Sequence, residues 1–193
     1  MMQERQIGGT NGMRHILRPH PDYPCLAATS IDVNVELLGR DCVALDYVVT
    51  GTIDDLQLSP VLASGRSDRL WENTCFEVFI RPGAGDGYYE FNFAPSTQWA
   101  AYHFSRYRGG RRDVTEIDAL AIDVQSGARR YALRTRLKLD RLPELARSAA
   151  WRLGLSTIIK ETNGRKSYWA LAHPPGDADF HHADCFAHEL CPA

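Results

Sequence analysis

Between Trp71 and Phe104 the chain reads WENTCFEVFIRPGAGDGYYEFNFAPSTQWAAYHF, which sets Glu72, Glu77, Glu90 and Asn92 among a dense run of aromatic side chains. An ordinary core strand has no use for carboxylates placed between rings. The spacing resolves into two segments of period two. In TCFEVFIR, Phe76, Val78 and Ile80 share one face and Cys75, Glu77 and Phe79 the other; in YYEFNFAP, Tyr89, Phe91 and Phe93 oppose Tyr88, Glu90 and Asn92. A hairpin through the Gly-rich turn brings Glu77 near Glu90 or Asn92, on a surface that combines rings with carboxyl and amide groups. That combination suits a sugar: pyranose C–H faces stack on aromatic rings, hydroxyls take carboxylate and amide partners, and a site needs few polar groups against an apolar floor. Trp71, just before the first strand, Trp99, just after the second, and Trp169, in the last strand, are the candidate stacking rings. Pattern alone leans toward a structural reading, with tryptophans closing the ends of the fold and carboxylates facing water.

The elements that must position these residues show the same period. In IDVNVELLG, Ile31, Val33, Val35 and Leu37 oppose Asp32, Asn34 and Glu36, and CVALDYVVTG, YALRTRLKL and WRLGLSTIIKE repeat the pattern of half-buried antiparallel strands. Turn signals separate them at Gly39-Arg40-Asp41, PGAGDG, Gly109-Gly110, Ser126-Gly127 and Asn163-Gly164, the last a strong hairpin signal. Only Leu139–Ala150, with Pro143 near its start, reads as helix. The expectation is an all-β fold, an antiparallel β-sandwich of jelly-roll or immunoglobulin-like type with about nine strands and one short helix. Residues 1–14 read as a flexible lead-in, in which Met13 is an alternative start, and residues 15–193 as a single domain.

The totals exclude several classes. A net charge of −2 gives no reason to expect nucleic acid or an anionic membrane as partner. The arginines at 106, 108, 111, 112, 129 and 130 sit in turn sequences among offsetting acids and read as solvated loop charges. No stretch approaches the roughly 18 apolar residues of a membrane helix, and the N-terminal residues carry no apolar run of a signal peptide. Five cysteines, none in C-x-x-C spacing, argue against a disulfide framework or zinc ribbon and for a reducing, cytoplasmic setting.

The segments LRPHPDYPC, WENTCFEVFI, YYEFNFAPSTQWAAYHFSRYR and SYWALAHPPGDADFHH resemble the DOMON-like proteins related to family 9 carbohydrate-binding modules, in their bacterial DOMON-like group, and the resemblance runs from about Leu17 to Leu190. It implies a β-sandwich, a non-catalytic domain, and sugar or haem as ligand. By position in that resemblance Trp71, Glu77 and Trp169 carry over to the sugar site, with Asn92 and Glu90 beside them. A haem site of this family needs methionine and histidine, or a similar pair, on opposite faces of one iron. The chain's methionines are Met1, Met2 and Met13, all in the expected lead-in, which leaves His103 and His173 as the only axial candidates and ranks haem below sugar. His173 precedes Pro174-Pro175 and can cap a strand end beside Trp169. A third reading has no small ligand, the aromatic face docking a protein partner.

Other chemistry is weaker. Asp177, Asp179, His181, His182, Asp184, Cys185 and His188 crowd the C-terminal tail, but no spacing fixes a fourth ligand for zinc, so no metal site is assigned. Glu77 and Glu90 are the residues a glycoside hydrolase would use as acid and nucleophile or base. The chain carries no G-x-S-x-G, H-E-x-x-H, G-x-G-x-x-G or Walker motif, and the expectation is a binding domain rather than an enzyme.

Overall fold

The computed structural model describes residues 12–83, 85–148 and 150–191. Its strands are β1 (Met13–Pro19), β2 (Ala28–Leu37), β3 (Cys42–Gly51), β4 (Gly65–Arg66), β5 (Cys75–Pro82), β6 (Tyr88–Phe93), β7 (Gln98–Phe104), β8 (Arg112–Asp113), β9 (Ile122–Ser126), β10 (Arg130–Lys138), β11 (Trp151–Lys160), β12 (Lys166–Ala170) and β13 (His188–Leu190), with one short helix, α1 (Pro143–Ala146). They pair along one path, β4-β7-β6-β5-β11-β12-β1-β2-β3-β10-β9, with β13 on β11 and β8 on β7. β1 carries the path from one half to the other: Met13 to Leu17 pair with β2, and Arg18 and Pro19 pair with β12. The sheet curls so that its halves meet. Tyr47 of β3 donates its hydroxyl proton to the Glu77 carbonyl on β5 at 2.7 Å, and Phe76 stacks on Tyr131 of β10 with ring centres 5.8 Å apart.

The all-β character and the single short helix agree with the sequence. Two expectations need correction. The sheet is mixed rather than wholly antiparallel, because β4 runs parallel to β7. The strands also number thirteen among the described residues, since β4, β8 and β13 are two or three residues long and too short to show any alternation. The boundary of the lead-in moves as well: residues 1–11 lie outside the described residues, but Met13 and Arg14 already pair with Val35 and Asn34. A methionine therefore does stand in a strand, with its side chain exposed.

The helix expected over Leu139–Ala150 shrinks to one turn that opens with Pro143, and Trp151 anchors it by donating its ring N–H to the Leu145 carbonyl at 3.0 Å. The Asn163-Gly164 signal is met: Gly164 takes φ +86°, and the Asn163 side chain accepts from the Arg165 N–H at 2.9 Å. Beside this turn Glu161 accepts from the N–H groups of Leu26 (2.6 Å) and Ala27 (3.0 Å), which ties the β11–β12 hairpin to the approach to β2. No helix among the described residues is long and apolar enough to cross a membrane.

In β2 the alternation does what it predicts, with Ile31, Val33 and Val35 buried and Asp32 and Asn34 half-exposed. β6 behaves differently, for all six of its residues are buried. One face, with Tyr89, Phe91 and Phe93, lies in the core between the halves. The other face, with Tyr88 alongside Cys75 and Phe79 of β5, has a second apolar layer of its own that includes Leu70, Phe180 and Phe186. This second layer creates the site.

Candidate functional site

Glu77 and Glu90 form the floor. The β5–β6 register sets Glu77 opposite Asn92 and Phe79 opposite Glu90, so the two glutamates are diagonal neighbours on one face. Each has one close partner: Asn92 donates to Glu90 Oε1 at 2.7 Å, and the Ser156 hydroxyl of β11 donates to Glu77 Oε2 at 3.3 Å. Burial pushes the Glu77 carboxyl well above the usual carboxylate range, and the neighbouring Glu90 adds to it. Burial also raises Glu90, to about 7, against the lowering effect of the Asn92 bond and of Arg111 and Arg108. The floor therefore holds a proton to higher pH than exposed carboxyls do, and in that state it presents donor as well as acceptor oxygens.

Trp71 stands at one side on a single 3-10 turn, Leu70–Glu72, entered through Arg69 in the left-handed conformation at φ +60°. Its ring meets Tyr102 of β7 edge-on at 6.0 Å. The Arg111 guanidinium lies 4.1 Å over the Tyr102 ring and 5.6 Å from that of Trp71, and it pairs with Asp68 at 3.1 Å. Asp68 also accepts from the Tyr102 hydroxyl. On the other side the turn after β7 bends through Arg108 at φ +48°, whose guanidinium holds Asp179 at 2.7 Å.

The segment after β12 provides the far wall. Phe180 and His181 reach over the sheet, and Tyr168 of β12 faces them from below. The Tyr88 hydroxyl accepts from the Arg108 N–H at 3.1 Å and shares a hydrogen bond with His181 Nδ1, 2.8 Å away. Nε2 of His181 faces Glu90 Oε2 at 3.9 Å. Burial, helped by Arg108, lowers His181 to about 4 and keeps the ring neutral. Together these groups line a cleft of about 410 Å3, within the range of small-molecule sites. Its aromatic walls, proton-bearing floor and internally paired arginines offer stacking surface and hydrogen bonds of both polarities, with little net charge.

Of the residues singled out in the sequence, Trp71, Glu77 and Glu90 come together here. Asn92 is fully buried behind Glu90 and acts through it. Trp99 and Trp169 do not join them. Trp99 pairs with Phe93 and so shares its inward face, where the Arg66 guanidinium lies 4.3 Å over the ring. Trp169 is also inward, donating to Ser167 Oγ at 3.0 Å, and its neighbour Tyr168 takes the cleft-facing phase. His173 does not line the cleft either; its Nε2–H donates to the Arg18 carbonyl at 2.9 Å, next to His20.

The axial pair considered for haem is not assembled. His103 bonds Glu144 at 3.2 Å on β7, in surroundings separate from those of His173. The tail residues weighed as metal ligands diverge too. His181 enters the cleft, His182 accepts from the Asp184 N–H, Cys185 bonds the Ala172 and Asp179 carbonyls, and His188 packs on His15 with ring centres 4.4 Å apart.

The sequence reading missed Tyr102, Phe104, Tyr168, Phe180, His181, Arg108 and Arg111. Phase could have supplied Tyr102, Phe104 and Tyr168, which alternate with inward residues. The loop residues carry no periodic signal, and Arg108 and Arg111 are corrected from solvated loop charges to cleft residues.

The sequence matches no protein-family profile and no curated protein. Solved structures do match. One is a proposed carbohydrate-binding protein from Bacteroides uniformis ATCC 8492, at a TM-score of 0.66 and 15% identity, over 93% of this chain and 86% of the other. Another is a family 9 carbohydrate-binding module from Caldicellulosiruptor kristjanssonii in complex with glucose, at a TM-score of 0.56 and 10% identity, over 94% and 84%. The fold is shared with these two structures. At such identities the likeness extends to the fold alone.

Proposed function

We propose that this chain is a non-catalytic, DOMON-like β-sandwich that binds a carbohydrate or sugar-like small molecule in the cleft over β5 and β6. The observation that carries this reading is the meeting of the Trp71 ring with the Glu77–Glu90 carboxyl pair in one largely aromatic cleft. Trp71 stacks on the sugar ring while Glu77, Glu90 and the His181 ring take its hydroxyls, and Asn92 holds Glu90 in place. The neighbouring folds, one of them a glucose complex, support the ligand class and the absence of catalysis. The odd cysteine count supports a cytoplasmic setting, in which the ligand is a soluble sugar rather than a wall polysaccharide.

Tryptophan fluorescence titrated with mono- and disaccharides tests the reading. A saturable change with one sugar is expected in the parent protein and none in Trp71→Ala. An equal affinity in that variant overturns the assignment, and turnover of a chromogenic glycoside that is lost in Glu77→Gln overturns the non-catalytic part.

A further inference from the structure

The face of β5 that carries Glu77 and Phe79 continues to Arg81, and the face of β6 that carries Glu90 continues to Tyr88. Glu77, Phe79 and Glu90 line the cleft described above, whereas Arg81 and Tyr88 line a second one of about 460 Å3. His181 borders both, so the two clefts are successive stations along one hairpin face, divided by the His181–Tyr88 hydrogen bond. A single turn after β7 serves the two of them. Its left-handed residue Arg108 points into the first cleft, and Arg106 and Tyr107 line the second.

The charge changes between the stations. In the first cleft each arginine has a carboxylate partner, Asp179 or Asp68. In the second, neither Arg81 nor Arg106 is in an ion pair among the described residues, and Asp86 is the one acidic residue on its lining. The Arg81 guanidinium is held 4.8 Å over the Phe186 ring, which fixes it without neutralising it. Two guanidinium forks without partners in one cleft suit an oxyanion, which each can bind through paired N–H groups.

We propose that the second cleft is an anion subsite, and that the ligand is a sugar bearing an anionic substituent, a phosphate or a carboxylate, whose ring occupies the first cleft. This rests on the sugar reading and adds the charge of the ligand to it. Phe79 of β5 lies opposite Glu90, and Arg81 stands two residues further along β5; such diagonal neighbours are about 7–8 Å apart, so a ring over Glu90 and a substituent beside Arg81 fit within one molecule.

The test compares glucose with glucose 6-phosphate, glucose 1-phosphate and glucuronate by calorimetric titration of the full chain and of an Arg81→Gln/Arg106→Gln double variant. At least one anionic form should bind about tenfold tighter than glucose, weaken with added salt, and lose that advantage in the double variant while glucose affinity stays unchanged. Which form gains separates phosphate from carboxylate. Should glucose bind and no anionic form bind tighter, or should the gain survive in the double variant, the subsite is overturned and the sugar reading stands. Should no sugar of either kind bind, the sugar reading fails and inorganic phosphate decides the second cleft alone. A rise in Tm with phosphate that the double variant lacks then upholds the anion site, and no rise overturns it.

Discussion

Replacing Glu90 by glutamine should make the protein more stable at alkaline pH, although it deletes a charged residue in the middle of the site. Glutamine keeps the shape and leaves an oxygen to accept the Asn92 bond, but it cannot ionise. Folding raises the Glu90 carboxyl from its ordinary value near 4.5 to about 7, so the folded chain holds a proton there that the unfolded chain has released. With the folded value above the unfolded one, stability is fully present below about pH 4.5 and is lost as pH climbs through 7. The difference corresponds to about 3 kcal/mol. Urea unfolding at pH 5 and pH 8 measures it. The gap between variant and parent should grow in the variant's favour by about 2.5 kcal/mol between those values, and Glu77→Gln should act in the same direction for the same cause. Comparing variant with parent cancels the opposite pH dependence of carboxyls held below their ordinary range. A gap that does not change with pH would refute the claim that the floor is desolvated and protonated.

Two further perturbations probe the frame around the site. Glu161→Ala strips the acceptor from the Leu26 and Ala27 N–H groups and should cost about 2–4 kcal/mol in chemical unfolding. Burial alone would raise Glu161, but those N–H bonds outweigh it and hold the carboxyl low, so its contribution is present at neutral pH and fades as pH falls through the carboxylate range; Glu161→Gln should remove that acid sensitivity. Trp99→Ala should cost about 3–5 kcal/mol by emptying the inner core under Arg66, yet leave the affinity of the folded protein for its sugar unchanged, as titration calorimetry would show.

Alternation made the long strands legible. Ile31, Val33 and Val35 lie inward as their period requires, and the phase that groups Glu77 with Glu90 and Asn92 is the phase the sheet adopts. The same rule, applied without a favourite residue type, separates Trp169 from Tyr168. Ranking tryptophan first as a stacking ring put Trp99 and Trp169 in the site, where their register excludes them. What no local pattern could show is the second layer. Pattern alone left Glu77 and Glu90 open to a reading as the wet side of a sheet, because Phe180 and His181, which cover them, come from a loop distant in sequence. Arg108 and Arg111 read as solvated for a related reason. Their partners Asp179 and Asp68 lie 71 and 43 residues away along the chain, so a window of a few residues could not place them at a cleft.

A crystal structure of the protein with the sugar that gives the strongest saturable fluorescence change would test the central claim most directly. The account predicts the sugar ring against Trp71, with its hydroxyls on Glu77, Glu90 and His181. A sugar bound elsewhere on the molecule, or a full panel of sugars with no saturable response, would contradict it.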